Sequence, residues 1–239
     1  MNELVERFEI VFNQIHQQLK EMNGFPKNDN FVELLQHSKL KHSVIRVYFD
    51  QLKQYAKLRN AIVHERIRDD YYIATPNEEV VEKLEQILHT LEKPPAAIEF
   101  ATRPVMFFKA DTPLTRIIEA FNEHGISQFP IYDEGRTFLG LLTNDGVVRW
   151  LSQSVKDGSV TVEGIVAQDV LVAEKDLSVE FLAANGTVYE LEEMFETSLE
   201  AERKLKAVIL TEYGDANEKP TGIVTTWDLI KVDRRTPDE

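Results

Sequence analysis

Cysteine is absent from this chain of 239 residues. That rules out a disulfide framework and any site built on Cys ligands, and it fits a reducing cytoplasm. No window approaches 18 consecutive apolar residues, so no membrane span is expected. The opening MNELVERFEI carries acids where a signal peptide needs an apolar stretch, so none is expected. Positive charge is scarce, 27 Lys and Arg against 41 Asp and Glu, for a net charge of −14. Such a balance argues against general coating of a polyanion. There is no Walker-type glycine loop and no Ser nucleophile elbow. His16, His37, His42, His89 and His124 are scattered, not grouped with acids at metal-ligand spacing, so no metal site is expected.

What is present can build cores: 43% of residues are hydrophobic and 28% charged. The length suits two or three compact units. The charge is uneven. From Lys39 to Arg68 eight basic residues (Lys39, Lys41, Arg46, Lys53, Lys57, Arg59, Arg66, Arg68) face only Asp50 and Glu65. A solvated helix face is the plain reading of such a strip.

The first 92 residues have the texture of helices. Leu4, Phe8, Val11, Phe12, Ile15, Leu19 and Met22 follow helical spacing and predict one buried stripe. NGFPKNDN breaks it, and a short helix is predicted over Phe31–His37. A long helix is predicted from about Leu40 to Arg66, with Val44, Tyr48, Leu52, Tyr55 and Ile62 as its ridge. TPNEE offers Thr75 as N-cap and Pro76 in the first turn of a last helix reaching Leu91. Consecutive prolines in EKPPAA end it. The expectation is a four-helix antiparallel bundle over residues 1–93.

Beyond Pro95, short β-like runs alternate with helices, and the pattern occurs twice. VMFFKADTPLTRIIEAF (Val105 to Phe121) aligns with VEFLAANGTVYELEEMF (Val179 to Phe195). GLLTNDGVVRW (Gly140 to Trp150) aligns with GIVTTWDLIKV (Gly222 to Val232). An insertion in the second copy, partly in TEYGDANEKPT, accounts for the difference in spacing. Two copies of one β-α-β-β-α unit follow.

GIVTTWDL carries chemistry as well as structure. Thr225 opens a helix and Asp228 follows three positions later, the arrangement of a capping box with a short acid. The same geometry suits a ligand: a Thr hydroxyl and free amides at a helix start can hold phosphate oxygens. A carboxylate nearby can accept the hydroxyls of a ribose. Phe107, Phe108, Phe129 and Trp150 are expected to fill core and not to stack on bases.

The doubled unit, the hairpin ISQFPIYDEGRTFLGLLT and the closing Gly-x-x-Thr-x-x-Asp resemble the cystathionine β-synthase (CBS) domain, which normally occurs as a pair. The resemblance covers about residues 94–235, with a first domain over 94–155 and a second over 160–235. It implies an adenine nucleotide such as AMP, ADP or ATP as regulatory ligand. Carried onto this chain, Thr225 and Asp228 would hold phosphate and ribose, with Gly222 and Ile223 also at the ligand and Phe181 and Leu182 of the strand Val179–Leu182 as the adenine wall. The first copy would offer Thr143, with Val105 to Phe107, Met106 among them, as wall, and Gln128 beside Phe129 and Pro130. It departs from the pattern: its acid, Asp145, is two positions after Thr143, and Gly146 stands in the expected place. A shift of one residue turns a helical side chain by about 100°.

In KLRNAIVHER, the run Arg59, Asn60 and His64 resembles the signature of HEPN domains, which are small helical bundles. That resemblance covers roughly residues 1–92. In active members paired subunits form a metal-independent ribonuclease. There His64 would orient the ribose 2′-hydroxyl and Arg59 would stabilise charge at phosphorus. On one helix Arg59 and His64 stand about 140° apart, so their convergence needs a bend or a facing subunit.

The expectation from sequence is an α+β protein: a helical HEPN-like domain followed by a CBS pair. It is a cytoplasmic regulator that binds an adenine nucleotide, forms a homodimer and requires no metal. Two alternatives stand beside it. One is a nucleotide-gated ribonuclease using Arg59, Asn60 and His64, with RNA as partner; the other is a structural dimerisation module with empty sites.

Overall fold

A computed structural model describes residues 3–64, 74–174 and 178–232. These divide into two compact units. One comprises residues up to Pro95 together with Thr187–Glu193 and residues from Ile230 on; the other comprises Ala96–Gly186 and Met194–Leu229. The chain is of mixed α+β class.

The first unit holds α1 (Glu3–Met22), α2 (Phe31–Lys41), α3 (Ser43–His64) and α4 (Glu78–Glu92). On α1 the buried Val5, Phe8, Phe12, Ile15 and Leu19 recur every three or four residues, one stripe of an amphipathic helix. Val81, Leu84, Ile87, Leu88 and Leu91 do the same on α4 and join that core. The Asn30 side chain caps α2, accepting from the amides of Val32 and Glu33.

Three helix boundaries differ from the sequence expectation. The second helix runs on to Lys41 rather than ending at His37. The third begins at Ser43 and not at Leu40, because His42 is extended and closes α2. The residues expected to carry it on to Arg66 lie outside those described. The fourth is capped at Asn77, not Thr75. There the Asn77 carbonyl takes the amides of Val80 and Val81, and Glu78 and Glu79 fall in the first turn, where the helix dipole favours acids.

A buried polar group sits at the start of α3. The Ser43 amide donates to the Glu192 carboxylate at 3.0 Å. His42 and Arg46 each stand 3.8 Å from the same carboxylate, whose side chain is 7% exposed. The Tyr189 ring packs edge-on against His42, and burial raises its phenol's pKa.

The second unit opens with a 3-10 turn, Ala97–Glu99, and then holds the repeated pattern, apart from the start of the second copy's first helix and the end of its last, which belong to the first unit. The first copy comprises β1 (Phe108–Lys109), α5 (Leu114–His124), β2 (Gln128–Tyr132), β3 (Phe138–Thr143) and α6 (Asn144–Ser154). After α7 (Ala167–Leu171), the second copy comprises β4 (Ser178–Ala183), α8 (Val188–Glu200), β5 (Leu205–Thr211), β6 (Gly222–Val224) and α9 (Thr226–Val232). Each copy makes a three-stranded sheet, ordered β1-β2-β3 and β4-β5-β6. The first pair in each is parallel and the second antiparallel. Parallel neighbours need a crossover, which α5 and α8 supply; antiparallel ones need only a hairpin.

Alternation places Phe129, Ile131 and Leu142 against Leu114, Ile117 and Ala120 of α5. Leu141, Ala207, Ile209 and Ile223 form a separate core joining strands of both copies, flanked by Val105, Phe138, Val179 and Phe181. The Phe138 and Phe181 rings meet edge-on at 5.0 Å.

Candidate functional site

Gly222 begins β6 with no side chain because the chain preceding β1 lies against it. A Cβ there would stand 2.8 Å from the Ala101 methyl and 2.9 Å from Ile98. Thr102 and Ile223 exchange backbone hydrogen bonds at 2.9 and 3.3 Å, so the segment before β1 is laced to the second copy. This contact brings Pro104, Val105 and Met106 to the strand that ends in Thr225.

Thr225 is clasped by the acid three positions on. Its amide and its hydroxyl both donate to Asp228 Oδ2 at 2.9 Å. The bond between the acid and the amide is that of a capping box, and the hydroxyl donates to the same oxygen. Asp228 is 5% exposed.

Thr225 and Asp228 open on a cavity of about 280 Å³, lined also by Thr102, Pro104, Val105, Met106, Gly125, Ile126, Ser127, Gln128, Pro130 and Ile223. Its walls are chiefly apolar, with hydroxyls, one amide and one carboxylate converging on it. A flat aromatic group could lie against Met106, Ile126 and Pro130 while a diol meets Asp228 and Thr225.

The residues named from sequence fall into separate places. Thr225, Asp228, Ile223, Met106, Gln128 and Pro130 share this cavity. Beside Thr225 this cavity is lined by Val105, Met106, Gln128 and Pro130 of the first copy. Phe181 packs against Phe138, and Leu182 lies close to Gly186. Phe107 is 37% exposed and not a core residue. It lines a second cavity of about 470 Å³, with Lys109, Tyr132, Arg136 and Lys219 among its neighbours. Burial pushes the Tyr132 phenol up to about 12.

Thr143 and Asp145 separate: Thr143 is buried and Asp145 exposed. Thr143 is held by Glu174, a residue not singled out from sequence. Its amide and hydroxyl donate to Glu174 Oε1 at 2.6 and 2.9 Å. Spacing could not have found Glu174, which is remote in the chain; the only hint was Gly146 standing where an acid was expected. Thr102, Pro104 and Ser127 were likewise missed.

On α3, Arg59 is half-buried and Asn60 exposed, and His64 is the last described residue of the helix. Arg66, Arg68 and Glu65 lie outside the described residues. Among the described residues no three His, Cys, Asp or Glu side chains group as a metal site, and no helix is long and apolar enough to cross a membrane.

Residues 97–153 match the family model of the CBS domain. No curated protein matches the chain. Solved structures similar to it include CBSX2 in complex with AMP, 18% identical, TM-score 0.40, covering 57% of this chain and 94% of that one. Another is a CBS domain pair in complex with 5′-methylthioadenosine and S-adenosyl-L-methionine, 16% identical, TM-score 0.41, covering 58% and 95%. A third is the CBS domain of a membrane protein from Sphaerobacter thermophilus, 18% identical, TM-score 0.44, covering 64% and 97%.

Proposed function

We propose that residues 94–235 work as a pair of CBS domains that binds an adenine nucleotide in the cavity closed by Thr225 and Asp228. The observation that carries this is the convergence of Thr225 and Asp228 from the second copy with Met106, Gln128 and Pro130 from the first. An apolar wall facing a hydroxyl and a carboxylate matches a nucleoside, apolar on the faces of its base and rich in hydroxyls on its sugar. Because both copies contribute, a ligand there favours the arrangement in which they close on it; that differential affinity is what a regulator requires. The helical residues 1–93, a HEPN-like bundle in this reading, carry the response to a partner or a second copy of the chain in the cytoplasm.

Thermal melting with AMP, ADP and ATP tests the proposal. The midpoint rises with at least one of them, as expected for a ligand that binds only the folded state. Asp228→Ala removes the rise. No shift with any nucleotide, or an undiminished shift in Asp228→Ala, rejects the site.

A ribonuclease reading draws on α3, where Lys53, Lys57 and Asn60 are exposed along one helix. Metal-free RNA cleavage that is lost in His64→Ala would support it; cleavage equal in the two proteins, or absent from both, removes it.

A further inference from the structure

The two copies treat the same threonine differently. In the second, the acid that binds Thr225 is Asp228, on the same helix. In the first, the corresponding position is Gly146, and the carboxylate arrives from Glu174, beyond α7. A methyl group built on Gly146 would overlap the Glu174 carboxylate, so the glycine leaves the space that the glutamate fills. Arg149 secures the arrival: its Nη1 donates to the Ala173 carbonyl at 3.0 Å and stands 4.0 Å from Glu174 Oε2.

The consequences for a ligand differ as well. The Thr143 hydroxyl donates to Glu174 and also accepts from the Gly146 amide at 3.0 Å, so both of its hydrogen-bonding directions are used. Thr143 is 7% exposed, and so is the Glu174 side chain. Thr225 is half-buried and lines an open cavity. Asp228 takes the same two donors from Thr225, but acid and threonine there line the cavity and can meet a ligand in it. At Thr143 a second ligand would have to expel the Glu174 carboxylate that fills the space left by Gly146. Leaving those donors unpaired is costly, so the expulsion is opposed.

We infer that Glu174 is a built-in anion that closes the first copy, so that the pair takes one nucleotide per chain, at Thr225 and Asp228. The inference rests on the nucleotide-binding reading above and adds to it the residue that sets the number of sites.

Calorimetric titration with AMP separates the two. The natural chain binds one AMP, and Asp228→Ala binds none. Glu174→Ala combined with Gly146→Asp copies the second site's acid into the first and binds two; adding Asp228→Ala to that protein returns it to one. Melting without ligand shows which variants are folded. If the natural chain binds two and Glu174→Gln loses one of them, the carboxylate is a ligand-binding group and the inference is overturned while nucleotide binding stands. A count of one in the Glu174→Ala, Gly146→Asp protein also overturns it. The titration is repeated with ADP and ATP if AMP does not bind, and no binding of any of the three by any of these proteins overturns both readings.

Discussion

Gly146 and Glu174 are fitted to each other: the helix position without a side chain is the one a distant carboxylate occupies. A glycine in a helix is ordinarily a liability of about 0.5–1 kcal/mol against alanine. Here alanine would displace the Glu174 carboxylate from the amide and hydroxyl of Thr143.

Gly146→Ala is therefore expected to destabilise by about 1–2 kcal/mol, the net worth of hydrogen bonds to a charged group less the gain in helix propensity. Glu174→Ala should cost a similar amount. The double variant should cost no more than either single one, because both remove the same contact. Urea denaturation of the four proteins measures this; additive losses would mean that the two residues act separately.

Gly222→Ala tests whether the segment before β1 shapes the cavity. Its methyl would press on Ala101 and Ile98, costing about 1–3 kcal/mol as overpacking. Gly222 does not line the cavity, yet its neighbours lead into Thr102 and Pro104, which do. Protection by AMP should fall more than in a surface variant such as Glu134→Ala.

Alkaline pH tests Tyr132. Its phenol is raised to about 12 by burial, and its buried hydroxyl has no hydrogen-bond partner among the described residues. The unfolded phenol ionises near ~10. The folded form binds the proton more tightly, so its contribution is complete below that value and is lost as pH climbs through about 12. Tyr132→Phe should match or slightly exceed the natural chain at pH 7, and its melting midpoint should fall less steeply between pH 10 and 12. Parallel curves would remove Tyr132 as a cause.

Glu192 tests the polar group at the start of α3. Glu192→Ala leaves the Ser43 amide unpaired in a buried place and should cost about 1–3 kcal/mol. Glu192→Gln keeps an acceptor oxygen and should cost less than half as much. Thermal melting distinguishes them; equal losses would assign the effect to charge and not to the amide bond.

Much of the architecture was legible in the chain. The stripe from Leu4 to Met22 and the one through Val81, Leu84 and Leu88 repeat with the period of a buried helix face, a local property that burial then satisfies. The doubled strand-helix pattern from Val105 and from Val179 was visible for the same reason. Helix ends were less so: Thr75 and Asn77 are both good caps, and only the packed backbone decides between them.

Sequence by itself determined the periodicities, the two copies, the Thr225–Asp228 spacing and the missing acid at Gly146, because each is a relation between residues close along the chain. Tertiary structure alone decided that Thr225 faces Met106 and Gln128 of the other copy and that Glu174 supplies the carboxylate to Thr143. Those are relations between residues far apart in the chain. They exist only once two sheets have packed through Leu141, Ala207, Ile209 and Ile223, an apolar burial that brings distant polar groups together without leaving a spacing to be read.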